Sequence, residues 1–191
     1  MLQLLQWLVI QGRSLRLRRR PTCTPLCATT PMNIAPTDRT FIVLAFARRA
    51  ADARHDRQVT TEHILYGLVM EGSGIAANLL HNLGITFSLP RDTIPRAHDS
   101  DTLCEDGRAE YRNLSGEAKT FMKAAQAEGI RCREMWPKPD PPFAWIGTEH
   151  LLMALTEKSS TAGGEVLRRE VAKLKMSPED LHQEVMALIF G

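Results

Sequence analysis

Two segments of the chain carry the same pattern: TTEHILYGLVMEG at Thr60–Gly72 and IGTEHLLMALTEK at Ile146–Lys158. In each segment Thr-Glu-His stands directly before a run of apolar, helix-forming residues. The apolar positions have the spacing of one helical face and match between the segments. They are Ile64, Leu65 and Leu68 in the first segment and Leu151, Leu152 and Leu155 in the second. Chance accounts for a repeated tripeptide but not for a repeated flanking pattern, so the segments predict equivalent helices of an internal repeat.

A second pair of equivalent helices is predicted ahead of these segments. Apolar or small residues recur at helical spacing from residue 40 to 51, and the same pattern returns from residue 118 to 129. Thr37 and Ser115 stand where the N-caps of these two helices are expected. The predicted buried faces are Thr40, Val43, Leu44, Ala47 and Ala51, matched by Ala118, Phe121, Met122, Ala125 and Gly129.

The remaining helices complete an all-α prediction of eight helices in two four-helix repeats. Third helices are expected at about 75–83 and 164–174, and fourth helices at about 89–97 and 178–189, the last one capped by Ser177. Thr61 and Thr148 are predicted to cap the second helices, with Glu62 and Glu149 in their first turns. Repeat 1 spans about 36–97, a polar linker spans 98–113, and repeat 2 spans 114–191.

Composition indicates a globular chain in a reducing compartment. Of 191 residues, 43% are hydrophobic and 24% are charged, which is ordinary for a soluble domain. No apolar run approaches the roughly 18 residues that a membrane-spanning helix needs, so no membrane partner is expected. The cysteines are few and scattered, which fits neither a disulfide scaffold nor a metal site. They are Cys23, Cys27, Cys104 and Cys132.

The basic residues at the start of the chain account for its net positive charge. Five of the 24 Lys and Arg residues precede residue 32, so residues 32–191 carry 19 basic against 22 acidic residues, a formal charge of −3. This balance gives no support to a nucleic-acid partner. Residues 1–31 are interpreted as a disordered tail or a mis-assigned start, which favours a cytoplasmic protein. An Arg-rich organellar transit peptide is the alternative.

The motifs of the first repeat resemble the Clp N-terminal repeat domain of ClpC- and ClpA-type ATPases. They are Thr37-Asp38-Arg39, Thr61-Glu62-His63-Ile64-Leu65, Gly67-Leu68 and the run Glu71–Ala77, and the resemblance extends over Pro36–Ile189. It implies a protein-binding module of the Clp protease and chaperone system that docks substrates, adaptors or the Clp complex. A Clp ATPase and a ClpP-type protease core are the implied partners. The alternative is a structural or interaction protein that uses the same fold for an unrelated partner.

No enzymatic activity and no cofactor are expected. The sequence contains no Gly-Lys pair, so it lacks the Walker A loop that holds phosphates in an ATPase, and we expect a stand-alone module. His63 and His150 each follow a glutamate directly, and neighbouring helical residues diverge too far to form an acid–base pair. We therefore interpret both histidines as structural, hydrogen-bonded near a helix start.

The resemblance also implies a receptor for phosphorylated arginine in each repeat. Carried over residue by residue, it pairs Thr37 with Glu62 and Ser115 with Glu149. The alternative is that the hydroxyls only cap helices and the glutamates only complement the helix dipole. An insertion at 133–145 contains four prolines and three aromatic residues, which either pack it onto the body or bind a partner. The three are Trp136, Phe143 and Trp145.

Overall fold

The residues that the structure describes are mostly helical. A computed structural model describes residues 35–86, 100–135, 145–158 and 160–191, and within these ranges it contains eight helices and two short strands. The helices are α1 (Asp38–Ala53), α2 (Thr61–Glu71), α3 (Ile75–Asn82), α4 (Ser100–Asn113), α5 (Gly116–Met135), α6 (Thr148–Glu157), α7 (Ala162–Lys173) and α8 (Pro178–Phe190). The strands are β1 (Ala35–Pro36) and β2 (Trp145–Ile146). The all-α prediction is confirmed.

Seven of these helices lie where the sequence places them. Helices α1, α2 and α3 correspond to α5, α6 and α7, and α8 begins at Pro178 behind its predicted cap, Ser177. The Oγ of Ser177 accepts a hydrogen bond from Asp180 N at 3.1 Å. The predicted helix at 89–97 lies outside the described residues, as do residues 1–31, Trp136 and Phe143.

Helix α4 was not predicted, because its residues were assigned to the linker. It packs along α1 through buried Leu103 and Cys104, while its other residues are mostly polar. Gly107 allows close approach, since a Cβ at this position would lie 1.8 Å from the carbonyl oxygen of Phe41. The polar composition hid the helix, and a glycine inside it lowers helix propensity further.

The core is continuous across both repeats. All of the apolar residues predicted on the buried faces of the first and second helices are buried, including Leu65 and Leu152 at 1% and 0% exposure. Helix α6 contacts α2, α3, α5, α7 and α8, so the second repeat packs directly on the first. None of the helices in the described ranges combines the length and the hydropathy that crossing a membrane requires.

A two-residue parallel sheet joins the repeats. Ala35 pairs with Trp145 and Pro36 with Ile146. Thr37 follows β1 and Gly147 follows β2, so the pairing sets the start of α1 beside the start of α6. One interpretation of the insertion requires its aromatic side chains to pack onto the body. Trp145 is 48% exposed, so its side chain packs there only in part.

Candidate ligand-binding site

The starts of α1, α3 and α6 meet in one group, which we call the α1 cluster. The backbone N of Thr37 donates to the carbonyl oxygen of Ile146 at 3.0 Å, and Thr40 Oγ1 donates to the same oxygen at 2.6 Å. A Cβ at Gly74, the N-cap of α3, would lie 2.5 Å from Thr148 Oγ1. Three helix starts, each with first-turn amides that lack an intrahelical acceptor, therefore converge here.

Arginine and glutamate side chains border the α1 cluster. The Glu71 carboxylate accepts hydrogen bonds from the backbone N of Ser73 at 3.2 Å and of Gly74 at 2.6 Å, which caps α3. Arg39 Nη1 donates to Glu71 at 3.1 Å and also bonds Ser73 Oγ. The Arg39 side chain is 52% exposed, so about half of it is open to solvent beside the helix starts.

The starts of α5, α2 and α7 form the equivalent group, which we call the α5 cluster. Thr61 Oγ1 donates to Glu117 Oε1 at 2.9 Å and accepts from the backbone N of Gly163 at the same distance. The backbone N of Ala162 donates to the same Glu117 oxygen at 3.4 Å. Ser115 Oγ caps α5 by accepting from the backbone N of Ala118 at 3.1 Å.

The hydrogen bonds between helix starts run across the repeats, and this revises the predicted pairs. Thr37 lies beside the start of α6, which carries Glu149, and the start of α5 behind Ser115 lies beside the start of α2, which carries Glu62. The sequence interpretation had paired Thr37 with Glu62 and Ser115 with Glu149. The four residues thus remain candidates, but the geometry favours the exchanged pairs.

The two candidate glutamates have different neighbours. Glu62 pairs with Arg54, whose Nη1 lies 2.5 Å from Glu62 Oε1. The Glu149 carboxylate turns back over Gly147, with Oε2 3.4 Å from Thr148 Oγ1 and Oε1 3.4 Å from His150 Nδ1. Among the described residues no lysine or arginine pairs with Glu149. Of the two carboxylates, that of Glu149 is therefore the one that lacks an arginine or lysine partner.

His63 and His150 serve as structural caps, as predicted. The backbone N of Thr60 donates to His63 Nδ1 at 3.1 Å, and the backbone N of Gly147 donates to His150 Nδ1 at 2.9 Å. Since Nδ1 accepts, the ring is neutral with its proton on Nε2. Burial lowers the pKa of both histidines, although Asp56 beside His63 and Glu149 beside His150 act against the shift.

These contacts also correct the predicted N-caps of α2 and α6. The N-caps are Thr60 and Gly147, one residue earlier than Thr61 and Thr148. The histidine at the third helical position accepts a hydrogen bond from the N-cap amide. Each helix therefore begins one residue earlier in the chain than predicted. Thr61 is thereby released from capping, and its hydroxyl joins α2 to α7 and α5.

A separate acidic group lies at the far end of α6. Ligand atoms of Glu128, Glu157 and His182 lie within 4.8 Å of one another, a set of oxygen and imidazole donors that could hold a metal ion. Arg131 instead supplies the positive charge, because its guanidinium contacts all three side chains. Burial raises the pKa of Glu128 to about 7, and Glu157 adds to the shift. We interpret the group as a structural ion cluster.

A shallow pocket of about 270 Å³ opens beside this cluster, away from the predicted site residues. It is lined by Thr156, Glu157, Pro178, Glu179, His182 and Gln183.

The two buried cysteines are not reactive thiols. Burial raises the pKa of Cys104 and of Cys132 to about 11. A thiol with so high a pKa is a poor nucleophile at neutral pH.

Sequence reasoning missed Arg39, Glu71 and Glu117 as members of the clusters. Arg39 and Glu117 occupy equivalent positions of α1 and α5, since each is the second residue after the capping hydroxyl, Thr37 or Ser115. The opposite charges at these positions were visible in the sequence and signalled that the two helix starts differ.

Comparison with known proteins agrees with the motifs. Residues 35–134 match the family model of the Clp repeat (R) N-terminal domain. The chain is 28% identical over 152 residues to a probable ATP-dependent Clp protease ATP-binding subunit of Chlamydia pneumoniae, an alignment that covers 78% of this chain and 16% of that protein. It is 28% identical over 153 residues to the negative regulator of genetic competence ClpC/MecB of Bacillus subtilis strain 168. This alignment covers 80% of this chain and 17% of that protein. The chaperone protein ClpB of Oceanobacillus iheyensis is 28% identical over 155 residues, also covering 80% and 17%.

The chain therefore spans 16–17% of the length of these relatives. The family match extends from β1 to the last turn of α5, and the relatives align over most of the chain. Both findings confirm the resemblance inferred from the Thr-Glu-His motifs. Because the family model matches more than half of its residues, the chain belongs to the Clp repeat (R) N-terminal domain family.

Proposed function

We propose that this chain is a non-enzymatic protein-binding module of the Clp protease and chaperone system, which docks substrates, adaptors or the Clp complex. Phosphorylated arginine in a protein is the proposed ligand, and the helix-start clusters are the proposed sites. The observation that carries the proposal is the meeting of helix starts with a carboxylate at the α1 cluster. This arrangement offers hydrogen-bond donors and a negative charge within one small surface.

The donors suit a phosphoryl group. First-turn amides and the positive end of the helix dipole favour bound anions. In α1 the Thr37 hydroxyl accepts from the backbone N of Thr40 at 3.2 Å, which leaves the amides of Asp38 and Arg39 ahead of it for a ligand. The guanidinium of Arg39 lies beside them, held by its ion pair with Glu71, and arginine binds phosphate through planar, paired donors.

The glutamates suit the guanidinium of the same ligand. Glu149 lies in the first turn of α6, three residues after Ile146, whose carbonyl oxygen accepts from the backbone N of Thr37. It has no arginine or lysine partner among the described residues. A carboxylate there attracts the guanidinium of phosphoarginine and repels phosphoserine, which brings no compensating cation. The site would thus select for the arrangement of charge rather than for phosphate alone.

The docking function is tested by co-purification. Tagged protein should retain a Clp ATPase, or the protease core through it, from a lysate of the source cells. A variant with Glu62→Ala/Glu149→Ala should lose this partner if docking uses the clusters. Retention of an unrelated protein and no Clp component would instead support the alternative, in which the fold serves a different partner.

The ligand is tested by calorimetric titration of free phosphoarginine. We expect saturable heat from the wild type and none from Glu62→Ala/Glu149→Ala. The matched control is Glu179→Ala, which removes an exposed glutamate from the first turn of α8, outside both clusters. Equal affinity in the wild type and the double variant would show that the glutamates only complement helix dipoles. Phosphoserine should give no heat with any of the proteins.

A further inference from the structure

The two clusters are equivalent in the repeat but carry opposite charges at matching positions. Arg39 of α1 corresponds to Glu117 of α5, and each side chain lies at the meeting point of three helix starts. In the α1 cluster this position contributes a guanidinium that remains half exposed. In the α5 cluster it contributes a carboxylate.

The Glu117 carboxylate already lies where an anionic ligand of the α5 cluster would bind. Its Oε1 accepts from Thr61 Oγ1 at 2.9 Å and from the backbone N of Ala162 at 3.4 Å. The next two amides of α7 are also engaged, Gly163 by Thr61 Oγ1 and Gly164 by Thr161 Oγ1. A phosphoryl group would therefore meet satisfied donors and a like charge.

The Arg54 side chain occupies the position beside Glu62 where the guanidinium of a ligand would bind. Its Nη1 is 2.5 Å from Glu62 Oε1, so the carboxylate that corresponds to Glu149 is neutralised by the chain itself. The position equivalent to Arg54 in the second repeat is Cys132, which is buried and neutral. No such internal cation reaches Glu149 among the described residues.

We infer that the chain binds one phosphoarginine, at the α1 cluster, and that Glu117 and Arg54 close the α5 cluster as internal substitutes for its two charged groups. This inference rests on the proposed function and adds the number of ligands bound per chain and the cluster that binds them. The Glu149 carboxylate holds the ligand guanidinium, and Arg39 with the first-turn amides of α1 holds the phosphoryl group. The two repeats thus have different roles despite their shared fold.

The test is the stoichiometry of phosphoarginine binding by calorimetry. The wild type should bind one ligand per chain, and Glu149→Ala alone should lower the affinity at least about tenfold, since it removes the charged partner of the guanidinium. Arg54→Ala/Glu117→Arg gives the α5 cluster the charges of the α1 cluster and should raise the stoichiometry to two. A second double variant, Arg54→Ala/Glu117→Ala, opens the α5 cluster without adding a charge and should also raise the stoichiometry above one. Circular dichroism confirms that each variant is folded.

The outcomes separate this inference from the proposal beneath it. No heat from the wild type refutes phosphoarginine binding itself and the single site with it. If the wild type binds two ligands per chain, or if Glu149→Ala loses one of two sites and keeps the other, the single site is refuted. The proposed function remains intact in either case. A stoichiometry that stays at one in both folded double variants shows that Arg54 and Glu117 do not close the α5 cluster.

Discussion

Replacing Gly67 with alanine should destabilise the protein, although alanine is the better helix former. Gly67 lies within α2, where this helix crosses α1. A Cβ at Gly67 would lie 2.2 Å from the carbonyl oxygen of Val43 and 3.1 Å from the backbone N of Ala47. Ordinary van der Waals contact begins at 3.4 Å, so both distances are too short, and the first is below any that a real Cβ adopts. Both partners are backbone atoms, and the helices themselves must separate.

The expected loss follows from two opposing effects. Overpacking a buried site costs about 1–3 kcal/mol, and a clash with backbone belongs at the upper end of that range. Alanine regains about 1 kcal/mol of helix propensity over glycine. The net change is a loss of about 1–2 kcal/mol in the free energy of unfolding. For a chain of this size that corresponds to a decrease of roughly 2–8 °C in the melting temperature.

Urea titration and thermal melts monitored by circular dichroism measure the change. Gly116→Ala is the matched control, because a Cβ there meets nothing within 4 Å, and its stability should stay within about 0.5 kcal/mol of the wild type. Ala154 is the equivalent of Gly67 in the second repeat, and Ala154→Gly should also destabilise, by about 1 kcal/mol. A rise of about 1 kcal/mol for Gly67→Ala, as in a solvated helix, would show that α1 and α2 are not in contact at this crossing.

Three further changes probe the core, the histidine caps and the start of the chain. Leu65→Ala and Leu152→Ala should each cost about 2–5 kcal/mol in denaturant titrations, whereas Leu188→Ala, at a position 56% exposed, should cost less than about 1 kcal/mol; a small loss at either buried leucine contradicts the packing. The lowered pKa of His63 means that the unfolded chain takes up a proton near pH 6.5 while the folded chain does not, so stability falls as the pH drops below about 6.5. His63→Gln keeps an acceptor for the N-cap amide and should flatten this dependence relative to the wild type between pH 5 and 8; an unchanged slope places the titrating group elsewhere. A chain that begins at Met32 should keep its helical signal and melting temperature, because the described core begins at Val43; a large loss of either shows that residues 1–31 pack on that core.

Local patterns predicted the helices well where apolar residues recur at helical spacing. The faces from Thr40 to Ala51 and from Ala118 to Gly129 are buried as predicted. Helix α4 was missed because it offers α1 few apolar side chains, namely Leu103, Cys104 and Tyr111, and because Gly107 contributes close approach rather than hydrophobicity. Such a helix is stabilised by its partner, and a single-sequence pattern does not contain the partner.

The helix starts that carry the candidate residues could be predicted, but which of these starts lie side by side could not. A helix start that carries a hydroxyl and a following helix that carries Glu are both visible in the sequence. Which start lies beside which depends on the contact between Thr37 and Ile146, residues that are far apart in the chain. The sequence order favoured pairs within one repeat, whereas the start of α1 lies beside that of α6 and the start of α5 beside that of α2.

The short sheet that joins Ala35–Pro36 to Trp145–Ile146 has a consequence for synthesis of the chain. Its two strands are far apart in the sequence, so β1 emerges from a ribosome well before its partner exists. At about 5–20 residues per second the interval is roughly 5–20 s. During that time the first repeat has neither strand pairing nor the α6 surface against which it packs, and its apolar faces are open to chaperones. Completion of the first repeat must wait for translation of the second.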